Sequence, residues 1–357
     1  MQPLIASSSS AFVASLGVRL PVFSAGMAFV AGPPLAAAVS EAGGMGFLGA
    51  GLAPPAAVTG LIEATRSLTS RPFGIDFVTP FVTPEHLEAC LQARPRVVVF
   101  FWAPPPASWV RQLQARGIGV WMQVGTPAEA LEARDLGIDA LIVQGAEAGG
   151  HNRASAGLIS LLPAVVDAVA PLPVVAAGGI ADGRGLAAAL TLGASAVWCG
   201  TRFLASNEAH AHAEYKQRVV EAAVDDTVRN THFDAEWPGQ PMRVLRNREV
   251  RAWEAGLGAA ADGADSGAPV GTTVLGGQEV PVPPRSVLLP TPETRGDFER
   301  MGLTMGETAG LIRSIEPAAV IVRRMVSDAE ALLGRRLAHD GPPAPAPGAH
   351  RAPAACA

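Results

Sequence analysis

The sequence predicts an α/β chain built as a (β/α)8 barrel of the TIM type, followed by a smaller, mainly helical second domain near the C-terminus. Three observations predict it. From about Arg19 to Thr201, short apolar runs alternate with helical patterns at regular spacing. Glycine-rich turns follow the late strands of that series and not the first. Beyond Phe203 the alternation stops.

The eight strands centre on Leu20–Phe23, Gly46–Leu48, Phe73–Phe77, Val97–Phe100, Gly119–Met122, Ala140–Val143, Val174–Ala176 and Ala196–Cys199. An open doubly wound sheet would give the same alternation, but its glycine fingerprint follows the first strand. Here the glycines sit where barrels place a phosphate site, after the seventh and eighth strands. Residues 1–206 therefore read as the barrel domain, and 207–315 as a helical and irregular lid that includes the Gly-, Pro- and Asp-rich stretch Asp262 to Arg295. Residues 316–338 carry apolar positions at helical spacing (Val320, Ile321, Met325, Ala329, Leu332, Leu333) and read as a helix returning onto the barrel. The Pro/Ala/Gly-rich tail 339–357 is expected to be disordered.

Composition narrows the function. The chain is 49% apolar and 17% charged with a formal charge of −5, so no basic surface is available to follow nucleic-acid phosphates or an anionic membrane. A small-molecule partner is expected, with no nucleic acid and no membrane. The start of the chain lacks a basic leader and no apolar run reaches the ~18 residues of a membrane span, so a cytoplasmic, soluble protein is expected. Cys90, Cys199 and Cys356 are odd in number and unpaired in spacing, which fits neither a disulfide framework nor a metal site, and no metal is expected. His210 and His212, two apart on an expected helix, make a poor metal pair. The apolar composition is compatible with a homodimer. One lysine, Lys216, and one tyrosine, Tyr215, lie side by side in a helix-prone stretch, which argues against a Schiff-base lysine.

The chemistry-bearing segments end strands. Gln144-Gly145-Ala146-Glu147-Ala148-Gly149-Gly150-His151 follows the sixth. Its paired glycines allow close approach to a ligand, and His151 is the only histidine at an expected strand-end loop, hence the candidate base. Gly178-Gly179 with Asp182, and Gly200-Thr201-Arg202, open turns between strand and helix whose free amides can hold a phosphate without lysine. Glycine for turn geometry alone is the competing reading of each pair. Gly26-Met27-Ala28 ends the first strand with small residues and a thioether that can lie against a flat ring, although core filling is the commoner use of methionine.

Together these segments resemble the nitronate monooxygenases, formerly 2-nitropropane dioxygenases, which are FMN-dependent TIM-barrel enzymes. The likeness runs from Arg19-Leu20-Pro21 and Gly26-Met27-Ala28, through the Gln144 to His151 run and Ala177-Gly178-Gly179-Ile180, to Gly200-Thr201-Arg202-Phe203-Leu204. It resumes at Leu288-Leu289-Pro290-Thr291 and Gly306-Glu307-Thr308-Ala309-Gly310. The resemblance implies FMN as cofactor, with Gly26, Met27 and Ala28 beside its ring, Gln144, Gly149 and Gly150 in contact with it, and Gly178, Gly179, Gly200 and Thr201 holding its phosphate. It implies His151 as the catalytic base, and oxidation of a nitronate or nitroalkane by O2 to a carbonyl compound and nitrite. Three departures stand out: Asp76 in place of an asparagine, Asn152 after the histidine, and Met305 in place of an aromatic residue. FMN-dependent enoyl-acyl-carrier-protein reductases carry a near copy of the histidine motif. An NAD(P)H-dependent FMN reductase of enoyl thioesters or quinones is therefore the alternative enzyme, and a non-catalytic phosphometabolite-binding barrel the alternative outside enzymes.

Overall fold

A computed structural model describes residues 10–51, 53–256 and 267–338. Each expected strand is present: β1 Val22–Ser24, β2 Gly46–Gly49, β3 Phe73–Val78, β4 Val97–Phe101, β5 Gly119–Val124 and β6 Ala140–Gln144. After a two-residue strand outside the barrel, β7 Gly150–His151, come β8 Val174–Ala177 and β9 Ala196–Cys199. The sheet runs in the order β1-β9-β8-β6-β5-β4-β3-β2, all parallel. It closes where Ser24 N donates to Met45 O at 3.1 Å and Met45 N donates to Val22 O at 3.2 Å. Strands buried on both faces explain the continuous apolar runs of the sequence.

Alternate side chains point inward. Phe23, Phe47, Trp121 and Trp198 fill the barrel axis with ring centroids 4.4–6.3 Å apart. Gly74 on β3 is bare because a Cβ there would lie 2.2 Å from Phe47 Cε1. At the bottom the helix Ser10–Ser15 acts as a plug, with Phe12 5.5 Å from Trp121. Outside, several helices start with proline at their first turn, where its missing N–H costs nothing: Pro33–Glu41, Pro55–Leu68, Pro84–Ala93 and Pro127–Asp135. The expected return helix is Ala318–Ala338, packed on helices Gly183–Thr191 and Pro33–Glu41. Gly183 permits that approach, since a Cβ would sit 2.4 Å from Asp328 Cβ.

The segment expected to be helical and irregular holds more strand than its composition suggests. Besides helices Ala213–Glu221 and Arg248–Glu254 it contains β10 Thr227–Asn230, β11 Met242–Leu245, β12 Gly271–Leu275, β13 Gln278–Val282 and β14 Arg295–Gly296. β11 pairs antiparallel with both β10 and β7, so the loop after β6 recruits the lid as a sheet partner. Phe233, Met242, Val244 and Val250 form a small core beneath the pair. Tertiary pairing overrides weak local propensity here. Likewise His210 and His212 precede the helix rather than lying on it, His212 serving as its N-cap. The disordered tail expected at 339–357, Cys356 and part of the Gly/Pro-rich stretch, 262–266, lie outside the described residues. Among the described residues no helix is long and apolar enough to cross a membrane.

Candidate active site

The mouth of the barrel at the strand C-termini is a cavity roofed by the lid. Gly26, Met27, Ala28, Gln144, Gly149, Gly150, His151, Gly178, Gly179, Gly200 and Thr201 all border it, so the fold brings every candidate residue to one space. Glycines differ in why they are needed. At Gly26 a Cβ would lie 2.3 Å from Asp76 Cβ, and at Gly149 one would lie 2.4 Å from the Met305 carbonyl carbon. Those two glycines serve the protein's own packing. Gly150 (φ +75°) has nothing within 4 Å of that position, and at Gly179 (φ +70°) and Gly200 the nearest atoms are 3.7 Å away. Backbone at Gly150 faces open space, and at Gly179 and Gly200 a Cβ would meet side chains only at ordinary contact distance.

The β8 and β9 ends form a cradle of amides. Gly179, Gly200 and Thr201 donate their backbone N–H to no acceptor in the protein. Thr201 Oγ1 accepts from Gly306 N at 2.9 Å, which leaves its own O–H free to donate. One expectation needs correction. The helix after β8 does not offer its first amides, because Asp182 Oδ1 caps it by accepting from Arg184 N at 2.9 Å and Gly185 N at 3.3 Å. The uncommitted amides are those of the turns themselves.

Loop 145–152 is shaped by side chains. Buried Asn152 donates through Nδ2 to Gly145 O at 2.9 Å and Ala148 O at 3.2 Å, and its Oδ1 accepts from Ala154 N at 2.9 Å. Glu147 accepts from Leu158 N at 2.8 Å and caps helix Leu158–Val169. Arg243 from the lid donates to Ala146 O at 3.0 Å and pairs with Glu307 at 3.1 Å. The segment around Gly306 presses directly on this loop, since Glu307 N donates to Glu147 O at 3.1 Å.

His151 sits in β7, paired with Met242, rather than on a free loop. Its carbonyl accepts from Gln144 Nε2 at 3.1 Å, and its ring Nε2 is sealed from solvent without a protein partner. Trp237 of the lid lies 4.6 Å from the imidazole and Trp102 5.8 Å, centroid to centroid. Burial among these rings pushes the His151 pKa down to about 4, well below the ordinary imidazole value near ~6.5. Trp102 itself is held at φ +87°, a left-handed conformation costly for a bulky residue. Arg153 stabilises it by donating to Trp102 O, stacking 5.5 Å from its ring, and pairing with Glu129 at 2.9 Å.

Sequence reading missed Trp102, Trp237, Phe81 and Gln123, all near or on the cavity wall. Trp102 had a faint signal as the residue just past an apolar strand end; Trp237, in a Pro/Gly stretch of the lid, had none. Tyr215 was set aside as helical, yet it borders the cavity while donating to Thr304 O. Lys216 is spent on Ser206 O at 2.7 Å and Asn207 O at 3.2 Å, in keeping with its exclusion as a catalytic amine. Among the described residues around the cavity there is no lysine or arginine.

Comparison with known proteins decides the family. The nitronate monooxygenase family model matches residues 9–84 and 79–328. The chain belongs to the nitronate monooxygenase family. It is 36% identical over 353 residues to the nitronate monooxygenase npaC of Metarhizium robertsii, covering 89% of this chain and 93% of that one. It is 38% identical over 240 residues to the (3aS,4S,5R,7aS)-5-hydroxy-7a-methyl-1-oxo-octahydro-1H-indene-4-carboxyl-CoA dehydrogenase of Rhodococcus jostii, covering 67% of this chain and 66% of that one. The crystal structure of a nitroalkane oxidase from Streptomyces ansochromogenes superposes with a TM-score of 0.75 at 29% identity, over 92% of this chain and 100% of that one. Family members are flavin-dependent oxidoreductases, and this chain is an enzyme of that class. The non-catalytic reading of the barrel is thereby set aside.

Proposed function

We propose that the protein oxidises alkyl nitronates, and nitroalkanes after proton removal, with FMN as cofactor and O2 as oxidant, giving a carbonyl compound and nitrite. One observation carries this reading. A cradle of uncommitted amides at Gly179, Gly200 and Thr201 and the imidazole of His151, whose buried Nε2 has no partner in the protein, border the same cavity. The cradle suits a phosphate monoester, because bare backbone offers several directed N–H donors. Gly26, Met27, Ala28, Gln144, Gly149, Gly150 and Gly178 are the further residues proposed to hold the cofactor. When bound, FMN supplies the electron-accepting chemistry that amino acids lack.

The chain's own residues then have defined tasks. Loop 145–152, fixed by Asn152 and Glu147, presents the imidazole rigidly. Trp102 and Trp237 exclude water from it and keep it neutral at physiological pH, the form able to accept a proton. A preformed nitronate needs no base, whereas a neutral nitroalkane must lose its α-proton, and His151 Nε2 is the acceptor proposed. The depressed basicity lowers the driving force for that transfer, which favours nitronates over nitroalkanes as substrates.

The likeness to a carboxyl-CoA dehydrogenase supports a second reading, in which a nicotinamide nucleotide reduces the flavin for work on a thioester or quinone. Anaerobic titration separates the two. Nitronate should bleach the flavin while NAD(P)H leaves it oxidised. Rapid bleaching by NAD(P)H with no response to nitronate would overturn the first reading in favour of the second.

A further inference from the structure

We propose that Asp76, as its neutral acid, is the hydrogen-bond donor from the end of β3 to the oxidised flavin ring, and that cofactor retention is therefore pH-sensitive. The proposal rests on the FMN reading above, but its test is independent of which substrate reduces the flavin.

Asp76 points into the barrel mouth from β3, between Gly49 on β2 and Val99 on β4, and borders the cavity. Its side chain lies against the bare backbone of Gly26, so it is wedged in place beside the segment proposed to flank the ring. Oδ1 is shielded from solvent and has no partner in the protein. A buried polar atom left in this way carries a desolvation cost unless a ligand completes it.

The surroundings keep the group uncharged. Burial raises its pKa well above the usual carboxylate range, opposed only in part by the Phe77 amide. Among the described residues that line the cavity no cation faces it: its neighbours are Gly26 just beyond β1, Gly49 on β2 and Val99 on β4. The titratable groups sharing the cavity are Glu147, His151, Cys199, Tyr215 and Glu236. Glu147 is occupied by Leu158 N, Glu236 by Ser286 and Val287, and Tyr215 by Thr304. His151 is neutral above about pH 4 and the Cys199 thiol is pushed up to about 12. An oxidised flavin edge is rich in acceptors, namely two carbonyl oxygens and two ring nitrogens, with one N–H donor. A neutral acid complements that edge, whereas an ionised one would repel most of it.

The test compares wild type, Asp76→Asn and Asp76→Ala after the flavin has been stripped. FMN dissociation constants are measured by fluorescence from mildly acidic to alkaline pH, and the protonated-carboxyl stretch by infrared difference spectroscopy. Wild type should lose about tenfold or more in FMN affinity as the acid ionises. Asp76→Asn, whose amide still donates, should bind FMN with only the cofactor's own alkaline ionisation, and Asp76→Ala should bind weakly at every pH. The infrared band should be present in wild type and missing in Asp76→Asn. Wild-type and Asp76→Asn curves that coincide, FMN affinity that rises as the pH rises, or no infrared band assignable to Asp76 would each overturn the proposal. Bleaching by nitronate can succeed or fail without altering any of these outcomes.

Discussion

The two ends of the cavity are built from different materials. At the mouths of β8 and β9 the wall is backbone: Gly179, Gly200 and Thr201 with free amides. Across the mouth, from β3 to β7, it is side chain: Asp76, His151 and, from the lid, Trp237, with Trp102 packed against the last two. A backbone cradle can hold one fixed feature common to every turnover, such as a phosphate, because amide directions are set by the turn. An assembly of side chains from distant segments can change its shape and acidity without disturbing the fold. Phosphate anchoring and substrate handling are thereby separable, and mutations should separate them.

The sharpest way to break this division is at His151. Replacing it with Asn should lower nitroalkane turnover by about 10²- to 10⁴-fold while leaving nitronate turnover and flavin content near wild type, as measured by oxygen uptake on both substrates. Equal losses on both would remove its assignment as base. Next in size is Gly200→Val, which fills the cradle with a branched side chain although ordinary space exists for its Cβ. FMN affinity should fall about 100-fold or more, with the melting temperature of the flavin-free protein little changed. A purified variant that stays yellow would show that the cradle does not bind the phosphate.

Smaller effects sharpen the comparison. Since burial lowers the His151 pKa to about 4, the neutral form that accepts protons is lost only as pH falls through that value. The pH profile of kcat/KM for a nitroalkane should accordingly be flat above the limb and decline below it. Trp237→Ala opens the imidazole to water, so its limb should move up toward the ordinary value near ~6.5 with no change in FMN affinity. Thr201→Val removes one hydroxyl donor and the Gly306 tie, and should weaken FMN binding about tenfold without altering that profile.

Much of the molecule was legible in the sequence for identifiable reasons. All eight strand centres agree with the structure because both faces of each strand are buried and the apolar runs are uninterrupted. Every candidate residue borders the cavity because each was a strand-end residue, and barrel topology sends all strand ends to one mouth. The lid was harder. β10 and β11 fall in a stretch expected to be helical and irregular, and β11 is set between β10 and β7, a partner far away in sequence; Asp182, just past the Gly178-Gly179 turn, caps its own helix.

The amino-acid order by itself determined the barrel, the positions of its strand-end glycines and the placement of one histidine beside them, because these depend on periodicity and on residues adjacent in the chain. Only the tertiary structure decided that Gly26 and Gly149 serve packing while Gly179 and Gly200 are not closely packed, that Trp237 covers His151, and that Asp76 borders the cavity with Oδ1 unpartnered. Those facts depend on contacts between segments far apart in sequence, and burial, which sets the charge of Asp76 and His151, exists only once the chain has closed around them.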